Sequence, residues 1–193
     1  MIGRSPWTWL LIRAGLRSPD TQTSAAERRC LERHAAGRRQ IVEIGVYHGA
    51  NTALFRRVVD EGGEVIGIDP HPAGRLGVSF ERWIAEHQLS RVRRGRARLV
   101  RQYSHDAAAH WTRPIDFLFI DGDHSWNAIA RDWADWTPHI APGGLIALHD
   151  SRSLAGRPDL DSVRFTTDVV LTDSRFEAID TAGSLTVFRR RAT

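Results

Sequence analysis

Ile41-Val-Glu-Ile-Gly-Val-Tyr-His-Gly-Ala-Asn51 is the stretch on which the reading of this chain turns. An apolar run of strand character breaks into Gly45-x-x-x-Gly49 and restarts as a helix near Thr52. Two glycines at that spacing let the backbone bend sharply and approach a ligand where a Cβ would obstruct it. Glu43 stands just before the bend, and Asp69 ends the next apolar strand, Glu64-Val-Ile-Gly-Ile-Asp69, twenty residues after Gly49. A carboxylate there can accept hydrogen bonds from both hydroxyls of a ribose. The spacing differs from Gly-x-Gly-x-x-Gly, whose closely set glycines admit a pyrophosphate to a helix N-terminus. A nucleoside cofactor without phosphates fits better.

Working outward, Thr21–His34 reads as a helix with Thr23 or Ser24 as N-cap, stopped by Gly37. Strand 41–44, helix Thr52–Asp60, the Gly62-Gly63 turn and strand 64–68 follow. Further along come a helix over Phe80–His87 and a strand over Arg98–Arg101. The strongest buried strand is Ile115-Asp-Phe-Leu-Phe-Ile120, nearly continuous in apolar residues, as a parallel strand covered on both faces should be. It feeds a helix over Ser125–Trp136, where Trp126, Ile129, Ala130 and Trp133 keep helical spacing and read as core rather than as a substrate cage. Pro142-Gly143-Gly144 then turns the chain into strand Leu145–Leu148. Beyond Asp150 the spacing predicts a helix over Phe165–Leu171 and a hairpin of Arg175–Asp180 with Ser184–Phe188. Alternating βα units ending in a hairpin predict an α/β fold: a Rossmann-like, mostly parallel seven-stranded sheet with helices on both faces and an antiparallel edge.

These motifs resemble class I S-adenosylmethionine (SAM) methyltransferases. The resemblance rests on Glu43-Ile-Gly-Val-Tyr-His-Gly49, on Asp69, on Asp116-Phe-Leu-Phe-Ile-Asp-Gly-Asp-His124 and on Pro142-Gly-Gly-Leu-Ile-Ala-Leu-His-Asp150, and it spans roughly Ala25 to Phe188. Within that group the chain is most similar to small O-methyltransferases of the catechol and macrolide-sugar type and to the cephalosporin-hydroxylase-like branch. The resemblance implies one SAM-binding domain over 21–193, preceded by an apolar segment or lid over 1–20. It implies that Glu43, Gly45, Tyr47 and Gly49 line the methionine and ribose side of SAM, that Asp69 holds the ribose, that Asp121 borders the cofactor, and that Ser104 contacts the adenine. Where the family often has Gly-Asp, this chain has Gln102-Tyr103. It also implies a general base at Asp123 or His124, with the near-neutral imidazole the better match to physiological pH.

Asp121 and Asp150 match the ligands of the metal-dependent members, where a divalent cation lowers the acceptor hydroxyl's pKa. The usual third ligand is replaced by Ser151, with His149 preceding Asp150, so a metal such as Mg²⁺ is left open and a softer first-row ion suits the histidines better. Paired acids at strand ends also serve as helix caps, and Asp123 can cap the helix near Ser125. His48, His71 and His105 are given no catalytic role.

At 193 residues, with 41% hydrophobic and 26% charged residues, the composition is that of an ordinary globular protein able to bury about 70% of its unfolded surface. The single Cys30 excludes an internal disulfide, no zinc-ligand spacing is present, and a reducing cytoplasm is the expected compartment. Trp7-Thr-Trp-Leu-Leu-Ile12 is too short to span a membrane and lacks a cleavage site after it. All 27 basic residues are arginine, for a net charge of only +4. The one dense basic run, Arg91 to Arg98, has no interleaved aromatic residue for base stacking and reads as a solvated connector, making nucleic acid the weaker partner. A small-molecule acceptor is the expected partner, and a homodimer is left open. The alternatives are an RNA-modifying methyltransferase and a noncatalytic SAM-fold binding protein. A hydrolase is the weakest reading, because no Gly-x-Ser-x-Gly elbow is present.

Overall fold

In the computed structural model, residues 6–74, 77–156 and 160–192 are described. Helix α1 (Pro6–Arg13) and α2 (Ala25–Ala35) precede β1 (Gln40–Ile44), α3 (Ala50–Val58), β2 (Glu64–Ile68), α4 (Phe80–Ser90) and β3 (Arg96–Val100). The second half runs α5 (Ser104–Ala108), β4 (Ile115–Ile120), α6 (Trp126–Trp136), β5 (Ile140–Leu148), α7 (Asp161–Asp168), β6 (Phe176–Ala182) and β7 (Leu185–Arg190). The strands form one sheet in the order β3-β2-β1-β4-β5-β7-β6. Pairings from β3 across to β5 are parallel, while β7 pairs antiparallel with both β5 and β6.

The period-two alternation of the central strands sorts their side chains into two cores. Ile41, Phe117, Phe119, Leu145 and Val187 pack with Leu31 of α2 and Phe55 of α3. Val42, Leu118, Ile120, Ile146 and Phe188 face the other way, onto Ile129, Trp133 and Trp136 of α6 and Phe165 of α7. Trp136, Phe55, Phe117 and Phe119 are almost wholly enclosed, and each such side chain contributes about 1.5–3 kcal/mol through area removed from water. The tryptophans of α6 are thus mainly core, with Trp126 half-buried against Phe165.

Local chemistry sets the element boundaries. Ser24 caps α2 in a reciprocal capping box with Glu27, which settles the choice between Thr23 and Ser24. Ser79 caps α4 through the Arg82 N–H. Three elements depart from expectation. Helix α7 runs from Asp161 to Asp168 rather than from Phe165 to Leu171. The Pro142-Gly143-Gly144 turn lies inside β5, which already pairs with β4 at Ile140 and shifts register between Ile115 and Phe117; the glycines form an irregularity in the strand rather than its start. Helix α5, only five residues long and with no side-chain cap, escapes a reading based on periodicity. At the N-terminus α1 lies on α4, with Trp9 edge-on to Trp83 at 5.6 Å. No helix among the described residues is long and apolar enough to cross a membrane.

The chain runs outward from β1 through β2 to β3, then returns to start β4 on the other side of β1. That reversal of strand order leaves a crevice at the carboxyl ends of β1 and β4, where open α/β sheets bind ligands.

Candidate functional site

The loop after β1 is built by close approach. Gly45 has φ +85°, and a Cβ there would fall 2.1 Å from the Asp121 carbonyl oxygen at the end of β4. Gly49, at φ +74°, opens α3, and its Cβ would meet the Ala85 backbone of α4 at 2.8 Å. Both glycines therefore let protein segments touch each other, and this contact brings the β1 and β4 loops together. The three described non-glycine residues with positive φ, Tyr47, His71 and Asp150, all stand in these strand-end loops, where backbone strain is held by the surrounding contacts.

Asp69 supplies much of that restraint. Its Oδ2 accepts the Val46 and Tyr47 N–H groups, each at 3.0 Å, and its Oδ1 accepts the His71 N–H at 2.7 Å. The His71 Nε2 donates to the Tyr47 carbonyl at 3.1 Å, and the buried His48 ring stacks on Tyr47 while accepting the Asp20 N–H. His48 and His71 thus hold the loop. A carboxylate offers about four lone-pair directions, so the three bonds leave Asp69 able to accept one more.

A cavity of about 650 Å³ opens between these loops, within the usual range for small-molecule sites. Its wall includes Gly45, Tyr47, Asp69, Ser104, Asp121 and Asp123. Glu43 and Gly49 lie off it. Glu43 is 1% exposed and accepts the Thr52 hydroxyl behind the loop. Burial, with the charges of Asp121 and Asp69 adding, drives its pKa well above the ordinary value. The wall also takes in residues that no sequence motif marks: Asp20, Thr21 and Gln22 from the α1–α2 connection, Asn51, and Asp132 of α6. Thr23 Oγ1 donates to Asn51 Oδ1 at 3.1 Å, pinning that connection over the crevice.

Beside the cavity lies a cluster of acids and histidines. Asp121, His124 and His149 bring one ligand atom each within 4.8 Å of one another, and the Asp150 Oδ2 lies 3.6 Å from both His124 Nε2 and His149 Nδ1. His149 Nδ1 and Asp121 Oδ1 are 2.9 Å apart, yet neither buried atom makes a hydrogen bond of acceptable angle. Burial by itself would lower the His149 pKa, but Asp121 beside it, with Asp150 and Glu27 behind, raises it to about 9. His124 lies outside the cavity wall and turns toward Asp150, whereas Asp123 lines the wall and accepts the Ser125 N–H at 2.9 Å. Ser151 is buried, donating to the Ser184 carbonyl and to Thr186 Oγ1; it ties β5 to β7 and points away from any ligand role.

Glu27 completes the rear of this cluster. Its Oε1 accepts the Ser184 N–H and hydroxyl, both at 2.8 Å, and its Oε2 lies 3.7 Å from His149 Nε2. Burial raises the acid, but the bonds from Ser24 and Ser184 outweigh it and hold the pKa at about 2. Gly183 makes room, since a Cβ there would fall 2.6 Å from Glu27 Oε1. Glu27 has no counterpart among the site residues read from the sequence.

The arginine run lies elsewhere. Arg91 to Arg94, with Arg57 and Gln88, line a separate hollow at the amino end of β3, across the sheet from the carboxyl-end cavity.

Comparison with known proteins agrees with this architecture. The cofactor-bound Rv0187 protein from MTB superposes with a TM-score of 0.73 at 21% identity, covering 100% of this chain and 93% of that one. The Bacillus cereus O-methyltransferase in complex with SAH superposes with a TM-score of 0.64 at 22% identity, covering 95% and 88%. In sequence, the uncharacterized protein y4gI of Sinorhizobium fredii is 27% identical over 126 residues, 61% of this chain but only 14% of that much longer protein. The methyltransferase-domain family matches residues 42–151, from inside β1 to the residue after Asp150. The glycine loop, the crevice and the acid–histidine cluster all fall within that span, and the chain belongs to the methyltransferase-domain family.

Proposed function

We propose that this protein transfers a methyl group from SAM to a hydroxyl of a small molecule, such as a sugar or aromatic unit of a secondary metabolite. The observation that carries the reading is the charge of the cavity: its wall holds Asp20, Asp69, Asp121, Asp123 and Asp132 against a single arginine, Arg131. Such a wall repels phosphates and suits a donor that carries a sulfonium and an ammonium. The Gly45 bend allows close backbone approach, Asp69 accepts from the ribose, Tyr47 and Asp121 flank the reacting end, and Ser104 stands at the adenine end. That O-methyltransferases of the same fold were solved with SAH and with SAM supports SAM as the donor.

Methyl transfer to oxygen needs in-line approach and loss of the acceptor proton. We assign the base to His124 for the near-neutral range of an imidazole, while Asp123 is the one of the two that lines the cavity wall. The His124 Nε2 faces Asp150, which stabilises the imidazolium once the proton is taken, whereas the Asp123 carboxylate is already engaged with the Ser125 N–H. His124→Ala should lower kcat with little change in KM for SAM, and the loss should shrink as pH rises and the acceptor ionises unaided.

The acid–histidine cluster also fits a divalent ion. Asp121 and His149 present buried atoms with no hydrogen-bond partner, and Asp150 beside them completes a nitrogen–oxygen donor set better matched to Mn²⁺ or another first-row ion than to Mg²⁺. Bound there, such an ion would polarise the acceptor hydroxyl. The proton on His149 must leave first, so metal affinity should rise with pH.

Calorimetry with S-adenosylhomocysteine, with and without Mg²⁺ or Mn²⁺, tests these assignments together with turnover on a panel of hydroxylated acceptors. Saturable binding of S-adenosylhomocysteine is expected, and its absence would remove the cofactor assignment. Turnover undiminished after chelation would remove only the metal. The RNA-modifying alternative predicts steep loss of binding with salt, but the arginine hollow at the opposite end of the sheet does not favour it. The intact acid–histidine cluster argues against a noncatalytic binding role.

A further inference from the structure

The adenine end of the cavity has one polar group whose presence the fold does not explain. Asp132 is an acid on the inner face of α6, 7% exposed, on the cavity wall beside the apolar Ile44, Ile68 and Ala128. Its Oδ2 lies 3.6 Å from the point where a side chain at Gly122 would begin, so it stands beneath the loop that follows β4. The Trp136 Nε1–H donates to Ser104 Oγ at 2.7 Å. The Asp132 carboxylate offers about four lone-pair directions; burial lifts its pKa to about 6, with Ser104 and the His105 charge working against the rise. A buried acceptor left short of donors is costly unless a ligand supplies them.

We propose that Asp132 is the group that reads the base of the methyl donor, accepting a hydrogen bond from the 6-amino group of adenine. The inference rests on the SAM reading given above and adds to it the residue that distinguishes a 6-amino purine from other bases. A 6-amino group offers two donors and no useful acceptor, which complements a buried carboxylate on the cavity wall. A 6-oxo purine would set an oxygen against that carboxylate and be rejected. Ser104 positions Asp132, while Gly122 keeps the space above it clear.

The test is calorimetric binding of S-adenosylhomocysteine and of its 6-oxo counterpart, S-inosylhomocysteine, to wild type, Asp132→Asn and Asp132→Leu. Wild type should prefer the 6-amino ligand by about 10- to 100-fold, the range of a charge-assisted hydrogen bond. In Asp132→Asn the near-isosteric carboxamide can donate to a 6-oxo group, so the preference should fall to within about 3-fold or invert. Asp132→Leu should weaken the 6-amino ligand selectively. A role in packing alone would lower the melting temperature and weaken both ligands equally. Should the variants fail to fold, wild type serves by itself: the 6-deamino ligand should bind about 10-fold or more weaker than the 6-amino one. An unchanged preference in Asp132→Asn, or no 6-amino preference in wild type, overturns this inference and leaves the SAM reading standing. Failure of wild type to bind any of these nucleosides overturns both.

Discussion

Replacing Asp69 by alanine separates two jobs that a sequence motif merges. The carboxylate accepts three backbone N–H groups, from Val46, Tyr47 and His71, and its side chain is only 16% exposed. Hydrogen bonds to a charged acceptor contribute about 1.5–3 kcal/mol each when intact. Water can reach part of this loop and replace some of them, so the net loss should be about 2–4 kcal/mol. For a chain of this size that lowers the melting temperature by roughly 5–15 °C, at 2–4 °C per kcal/mol. The loop that carries Tyr47 at φ 50° then relaxes, so cofactor affinity falls through disorder of the seat as well as through lost ribose contacts, by about 100-fold or more. Scanning calorimetry of the apo protein and titration with S-adenosylhomocysteine read the two effects independently. A melting temperature within about 1 °C of wild type, beside a collapsed affinity, would refute the clamp: Asp69 would then act on the ligand alone. No change in either would refute the placement of the cofactor.

Three further outcomes follow from the same geometry. Gly45→Ala forces a side chain to φ +85° and places its Cβ 2.1 Å from the Asp121 carbonyl; the left-handed penalty of about 1–2 kcal/mol plus overpacking of about 1–3 kcal/mol should appear in urea unfolding, with cofactor binding lost. Burial raises the Glu43 pKa in the fold, so above the unfolded value of 4.5 the unfolded chain ionises before the native one; Glu43→Gln should match wild type below pH 4.5 and gain on it by about 1.4 kcal/mol per pH unit above that value until the folded acid ionises, and parallel stability curves would contradict the assignment. Glu27 runs the opposite way: its folded pKa of about 2 provides stability that is present above pH 4.5 and lost as pH falls through 2, about 3 kcal/mol in all. Glu27→Gln should therefore show its deficit at pH 7 and converge on wild type near pH 2, as measured by thermal melts across that range.

Much of the site could be read from the sequence because parallel strands announce themselves. Ile41–Ile44, Glu64–Ile68 and Ile115–Ile120 are short apolar runs whose carboxyl ends must line up once they pair in parallel, so Asp69, Asp121 and Asp150 were bound to gather at one edge. Helix α5 was not legible, because five residues give no period. Nor was the early start of β5, because Pro142-Gly143-Gly144 reads as a turn whether it lies before a strand or within one.

What the sequence determined by itself was local: strand or helix from periodicity, a cap at Thr23 or Ser24, the bend at Gly45, and the order of the βα units. Contacts between residues far apart in the chain belong to the tertiary structure. Glu27 reaches Ser184 across 157 positions, Thr23 meets Asn51, and Asp132 of α6 shares a cavity wall with Ser104 of α5. Each looks locally like a cap, a linker or a solvated helix position. Only packing the helices on the sheet fixes which of these polar groups lose water, and that loss gives Glu43, Glu27, His149 and Asp132 the protonation states on which the proposed chemistry depends.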